Sequence, residues 1–265
     1  MSGAGIDWRA LGEEAVEWLR RYLMIDTTNP PGNEIAGTRF LAEVLAAHDI
    51  PSEIAESGRA NLVARLAGDG SLGGIVLHHH IDVVYADRRY WSVDPFGGVV
   101  KDGYLYGRGS LDMKSVNMLR ASEKINVIPP EAVADVDCRM LAGDDPQEIL
   151  AWVRGVIADD RIEVTTVREP KLANMSPPDT ELYKALADAL RARAPGTVVA
   201  PSVMVAFTDN WVFRTLGVHG YGWSPFVLDD DEFRRIHGND ERVSLDNVRA
   251  GARSYTEMLL AVAAA

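Results

Sequence analysis

The sequence is nearly without cysteine. One residue, Cys138, occurs in 265, which excludes an intrachain disulfide and a four-cysteine zinc site. Lysine is almost as scarce: Lys101, Lys114, Lys124, Lys171 and Lys184 are the only ones, and the remaining basic residues are arginine. Positive charge is in deficit overall, with 27 Lys+Arg against 39 Asp+Glu and a formal net charge of −12. A chain of that sign repels phosphate backbones, so nucleic acid is not an expected partner. No apolar run approaches the roughly 18 residues of a membrane span, so no membrane partner is expected either. Residues Met1 to Trp8 lack a basic stretch followed by an apolar one. No signal peptide is therefore expected, and a cytoplasmic location is the default.

What is present is an ordinary globular composition, 47% hydrophobic and 25% charged, with length enough for one large domain or two smaller ones. Apolar residues recur with helical spacing from Ile6 to Leu23 and from Glu34 to Ala47. Between them, Thr27-Thr28-Asn29-Pro30-Pro31-Gly32-Asn33 is a run of turn residues. Asn61 to Leu66 and the short apolar stretch Gly74 to Leu77 read as strands, the second as a buried parallel one. Val99 to Tyr106 reads as a hairpin around Asp102-Gly103. Lys124 to Val127, Ala132 to Arg139 and Arg161 to Val167 read as strands of a smaller unit. Its helix is capped by Asp145, has Pro146 in its first turn and runs to about Ala158. Asp179 caps a helix to about Ala194, Ser202 to Ala206 and Gly217 to Tyr221 read as buried strands, and Leu245 to Leu260 closes the chain as a helix. This order predicts an α/β layer architecture.

The chemistry concentrates in three places. His78-His79-His80-Ile81-Asp82 follows an apolar stretch, and open α/β sheets bind ligands at such strand ends. A histidine two residues before an aspartate suits a metal ligand with a carboxylate partner for its second ring nitrogen. A triplet of surface histidines fits the same spacing. Gly107-Arg108-Gly109-Ser110-Leu111-Asp112 suggests a tight loop that aims one carboxylate; a hairpin with a solvated aspartate is the alternative. His237, within Arg235 to Arg242, is a distant ligand or a loop histidine. His219 reads as a member of a buried strand, and Trp18, Trp152 and Trp211 as packing residues.

Together these stretches resemble the di-zinc metallopeptidases and deacylases. That family includes aminoacylase, acetylornithine deacetylase, succinyl-diaminopimelate desuccinylase, carnosine dipeptidases and glutamate carboxypeptidase. The resemblance rests on His80-x-Asp82-Val-Val, Trp91 with Asp94-Pro95-Phe96, Asp102-Gly103, Gly107-Arg108-Gly109 and Asp112-Met113-Lys114. It continues through Thr27 to Glu34, Asn126 to Pro129, Asp137-x-Arg139, Thr208-Asp209-Asn210, Ser224-Pro225 and His237 to Arg242, in the family's order. It implies a catalytic domain with a central mixed sheet flanked by helices, plus a partial α/β lid. The catalytic domain would take residues 1–115 and 173–265, and the lid 116–172. By the same resemblance His80 and His237 bind zinc, Asp112 bridges two metals, and Asp82 is the catalytic residue that orients His80. The Asp112–Met113 bond is expected cis. Asn126 and Arg139 would hold the substrate, a small molecule with a free carboxylate, for which a guanidinium fork is suited. Relatives dimerise through the lid, so a homodimer is an open expectation.

The resemblance breaks after Ser115. The family's Glu-Glu pair, which supplies the general base and a metal ligand, normally follows the bridging aspartate. Here Val116 to Ile125 leads straight into Asn126, a residue of the later lid. A further carboxylate ligand is missing with it. Asp229-Asp230-Asp231-Glu232 is the best substitute in the chain and reads better as a solvated acidic loop. His80, Asp112 and His237 suffice for one zinc with an open position, with cobalt or manganese as alternatives, and are too few for two. Two main readings follow. One is a zinc-dependent hydrolase of N-acyl amino acids or small peptides. The other is an internally deleted, inactive relative that at most binds metal or a partner. A carboxylate-binding module built on Asn126 and Arg139 is a third.

Overall fold

The computed structural model describes residues 6–56, 59–66, 74–111, 118–120, 133–135, 140, 143–166, 173–202 and 208–263. In chain order the elements are α1 (Trp8–Leu23), α2 (Glu34–Ala47), β1 (Ser52–Glu56), β2 (Ala60–Ala64), a 3₁₀ turn (Arg88–Tyr90), β3 (Val99–Lys101) and β4 (Tyr104–Tyr106). There follow β5 (Met118–Arg120), β6 (Val133–Asp135), α3 (Pro146–Ile157), α4 (Glu181–Arg193), α5 (Asn210–Thr215), α6 (Asp230–Arg234), β7 (Arg242–Ser244) and α7 (Leu245–Ala263). The chain is α/β, as the sequence predicts: small antiparallel sheets flanked by helices. It divides into two compact units, Met1–Lys114 with Ala185–Val198 and Ser224–Ala265, and Ser115–Lys184 with Val199–Trp223.

In the first unit, β3, β4 and β7 form one antiparallel sheet. Its β3–β4 hairpin turns at Asp102 and Gly103, whose φ angles are +52° and +81°. Two consecutive positive φ values are what a tight hairpin turn needs, and Asp-Gly tolerates them. Leu105 on β4 and Val243 on β7 are fully buried and, with Leu23 and Val248, centre the apolar core. Helices α1 and α7 pack side by side. Gly12 makes the approach close, because a Cβ there would lie 3.1 Å from Arg249 Cβ. Helix α2 covers β1 and β2, which pair antiparallel from Ser52–Ala64 to Glu56–Ala60.

In the second unit, β5 pairs antiparallel with β6. Helix α3 starts as expected, with Asp145 accepting from the Gln147 amide at 2.8 Å and Pro146 in the first turn. None of its residues is buried, and Trp152 is 67% exposed. The expectation of a packed Trp152 is corrected: the helix face it occupies is uncovered. Helix α4 is capped by Thr180, not Asp179, for the Thr180 hydroxyl accepts from the Tyr183 amide at 3.1 Å.

The strand expectations fare less well than the helical ones. Gly74 to Leu77 forms no strand, with Val76 60% and Leu77 56% exposed. A buried parallel strand needs neighbours on both edges and layers on both faces, and no described residue supplies them there. Gly217 to Tyr221 and the described part of Arg161 to Val167 form no strand, and His219 is exposed. Most of Ser202 to Ala206, and all of Lys124 to Val127, lie outside the described residues.

Candidate metal centre

The segment that carries His80 is held by the N-terminal turn. Thr28 and Val83 form a parallel bridge, with the Asn29 amide donating to the Val83 carbonyl at 2.9 Å and the Val83 amide to the Thr27 carbonyl at 3.2 Å. The Thr27 hydroxyl donates to the Ile81 carbonyl at 2.7 Å. Gly37 on α2 completes the seat, since a Cβ there would lie 2.7 Å from Ile81 Cγ2. So the turn residues Thr27 to Asn29 do more than link two helices. They align residues 81–83.

His80 and Asp82 meet as their spacing predicts. Nδ1 of His80 lies 2.9 Å from the Asp82 carbonyl and 3.2 Å from its Oδ1. Both are acceptors, so Nδ1 carries the proton and a metal would be taken by Nε2. Asn29 donates its side-chain amide to Asp82 Oδ2 at 2.8 Å. Arg59 pairs with the buried Glu34 and stands 3.6 Å from the same Oδ2. Burial alone would raise the Asp82 carboxyl; the Asn29 amide, His80 and Arg59 outweigh it and hold it below the usual carboxylate range. The result is an ionised Asp82 that fixes the His80 ring, the arrangement of a metal histidine and its supporting carboxylate.

The second segment runs from Gly107 to Leu111. Gly109 has φ +91°, and a Cβ on it would lie 2.6 Å from Val83 Cγ1. Only glycine lets this turn close onto the His80–Val83 segment. The third segment is the loop from His237 to Glu241, where His237 and Asp240 have φ +61° and +53°. Asp240 accepts from the Ser92 amide and hydroxyl at 2.8 and 3.0 Å. Glu241 is fully buried and faces Arg108, itself 2% exposed, at 2.6 Å. The Glu241 carboxylate also accepts from the backbone amides of Gly109 at 3.1 Å and Leu111 at 2.6 Å. Arg108 in turn donates to the Gly238 carbonyl at 2.7 Å. The segments of His80, Gly107–Leu111 and His237 thus converge: Gly109 abuts Val83, and Leu111 is bonded to the loop of His237.

His80, Asp82 and His237 are described; Asp112, Asn126 and Arg139 lie outside the described residues, as does the Asp112–Met113 bond expected to be cis. Among the described residues no three of His, Cys, Asp and Glu come together as a metal-binding group. The contact of His80 with Asp82 fits a single metal ligand with its supporting carboxylate. Three acids of the run before His237 are otherwise engaged. Asp229 and Glu232 form a reciprocal capping box on α6, at 2.8 and 3.1 Å, and Asp231 pairs with Arg235 at 2.9 Å.

Sequence reasoning missed Asn29, Glu34, Arg59, Arg108 and Glu241 as supports. Asn29 and Glu34 carried a signal, since both lie in the turn motif of the resemblance. Arg108 and Glu241 also lie in stretches of the resemblance, Gly107-Arg108-Gly109 and His237 to Arg242, but they stand 133 residues apart and nothing local pairs them.

Comparison with known proteins matches stretches of this sequence to one class. Residues 76–122 match peptidase family M20/M25/M40, and residues 114–183 match the peptidase dimerisation domain. The chain therefore matches the M20 peptidase and dimerisation family. A probable carboxypeptidase S-like 2 of Dictyostelium discoideum is 32% identical over 148 residues, 55% of this chain and 28% of that protein. The N-fatty-acyl-amino acid synthase/hydrolase PM20D1 of Mus musculus is 31% identical over 148 residues, 55% of this chain and 29% of its own length. Aminoacylase-1 of Sus scrofa is 35% identical over 119 residues, 43% of this chain and 29% of the relative. The chain thus spans less than a third of the length of these relatives.

Proposed function

We propose that this chain is a non-hydrolytic member of the M20 lineage, in which His80, Asp112 and His237 hold one divalent metal and no residue supplies a general base. The observation that carries the reading is the order of the two family matches. The peptidase match ends at residue 122, after the dimerisation match has already begun at 114. Lid sequence follows the Asp112 segment directly, with no Glu-Glu pair between Ser115 and Asn126.

Zinc is the metal this donor set favours, with cobalt or manganese as substitutes. A bound zinc would acidify a water molecule, but hydrolysis also needs a group to take the proton. Asp82 is committed to His80, and Asp229, Asp231 and Glu232 to the cap and ion pair of α6. The chain's own residues thus orient a ligand and hold charge without moving a proton. The ligand is an N-acyl amino acid or small peptide, consistent with the names of the relatives, its free carboxylate taken by Asn126 and Arg139. Residues 116–172 act as a partial lid between two catalytic segments, 1–115 and 173–265, and a homodimer through that lid is part of the same proposal.

The test pairs metal analysis with turnover. After zinc loading and desalting, about one zinc per chain is expected, lost in His80→Ala and in His237→Ala, with no amino acid released from N-acyl amino acids above background. Zinc-dependent release that disappears in His80→Ala would replace this reading with that of a hydrolase. No retained zinc would remove the metal.

A further inference from the structure

We infer that the buried Arg108–Glu241 pair is a positioning device for the metal site: it sets the His237 loop in register with the backbone that leads into Asp112. The inference rests on the one-metal reading above and adds residues to it that touch no metal.

The argument begins with burial. Arg108 is 2% exposed and Glu241 fully buried. An ion pair taken out of water costs several kcal/mol per ion before its attraction is counted, and apolar residues of similar volume often replace such a pair without loss of stability. Stability is therefore a poor reason for this pair. Its hydrogen bonds give a better one. Glu241 accepts from Arg108 Nη1 and from the amides of Gly109 and Leu111, so one carboxylate organises a three-residue turn. The Gly107 amide donates to the Glu241 carbonyl at 3.0 Å. Arg108 reaches back to the Gly238 carbonyl, beside His237. Its guanidinium also lies 5.1 Å from the centre of the buried Trp91 ring, which fixes the side chain from a further direction.

Backbone on each side of the pair is thereby tied to the other. The turn so held ends one residue before Asp112, and the loop so held carries His237 at positive φ. Gly109 connects the same node to Val83 and the His80–Asp82 segment. A metal that needs His80, Asp112 and His237 needs all three segments in register, and small errors in ligand placement weaken binding steeply.

The test uses the full chain and cobalt(II), whose visible absorption reports ligand number and geometry. Two variants separate positioning from stability: Glu241→Gln, and the double variant Arg108→Met with Glu241→Met. The first leaves a buried guanidinium opposite a neutral amide and is expected to melt at a lower temperature. The second removes both charges and is expected to recover part of that loss, since the Gly109 and Leu111 amides lose their acceptor. Both are expected to bind cobalt at least tenfold more weakly than the parent, with an altered visible band. A double variant that regains parental affinity and spectrum along with its melting temperature would reduce the pair to a structural one and overturn the inference. If the parent binds no cobalt, the one-metal reading fails, and hydrogen exchange then decides on the pair. Faster exchange in the double variant confined to residues 107–111 and 237–241 would uphold the registering role. A uniform change, or none, would end it.

Discussion

The Tyr22 phenol stacks on Phe40, with ring centroids 5.8 Å apart and planes within 13°, and sits in the field of Asp82. Burial first, and that carboxylate second, push its pKa up to about 12, against about 10 for an exposed tyrosine. The native state holds its proton where the unfolded state has lost it. Stability from this source is therefore intact below pH 10 and lost as pH rises toward 12. Difference ultraviolet titration of parent and Tyr22→Phe should show one tyrosine ionising about two pH units late. The variant should lose less stability between pH 10 and 12. A tyrosine spectrum with no delayed component would refute the assignment. At this scale the sequence was legible where residues that act together lie close in the chain. His80 and Asp82 are two apart, and their contact forms as the spacing requires. Arg108 and Glu241 are partners only because β4 and β7 run antiparallel beside each other. Both lie in motif stretches, but their spacing of 133 residues carries no sign of the pairing.

Elements show the same division between local and non-local causes. Helix α2 matches its expected bounds, Glu34 to Ala47, and α3 its expected cap, because turn residues, caps and periodicity are properties of neighbouring residues. The Gly74 to Leu77 strand fails because a strand is defined by its partners, and no described residue pairs with it. The two capped helices α1 and α3 make the point testable. Asp7 accepts from the Arg9 and Ala10 amides at 3.1 and 3.0 Å, but α1 is also packed along α7 and tied to it by the Glu13–Arg249 pair at 3.0 Å. Helix α3 buries nothing, so its cap and Pro146 carry a larger share of its order. Each cap removal, Asp7→Ala or Asp145→Ala, costs about 1 kcal/mol. In Asp145→Ala that loss should appear as faster amide exchange throughout residues 146–157. In Asp7→Ala, residues 8–23 should stay protected and only the melting temperature should fall. Equal exchange behaviour of the two helices would mean that α3 has support beyond its cap.

For the whole molecule, the apolar surface left outside the core sets the behaviour in solution. Leu66, Val76 and Leu77 are 78, 60 and 56% exposed in one unit. Trp152 and Val156 are 67 and 64% exposed in the other. Exposed apolar surface favours association, while a net charge of −12 opposes it. The two forces respond oppositely to salt. Charge repulsion is screened within about 10 Å at 0.1 M ionic strength, whereas sulfate strengthens apolar burial. Self-association should therefore rise as sodium sulfate is added, and it should extend beyond the dimer proposed for the lid. Sedimentation velocity across a salt series would follow it. Replacing Val76 and Leu77 with Lys and Glu should remove the salt-dependent species and lower the fluorescence of a bound apolar dye, with helix content unchanged. Association that instead weakens with salt would show that charged surfaces bring the copies together. The exposed segment before His80 would then be neutral in assembly.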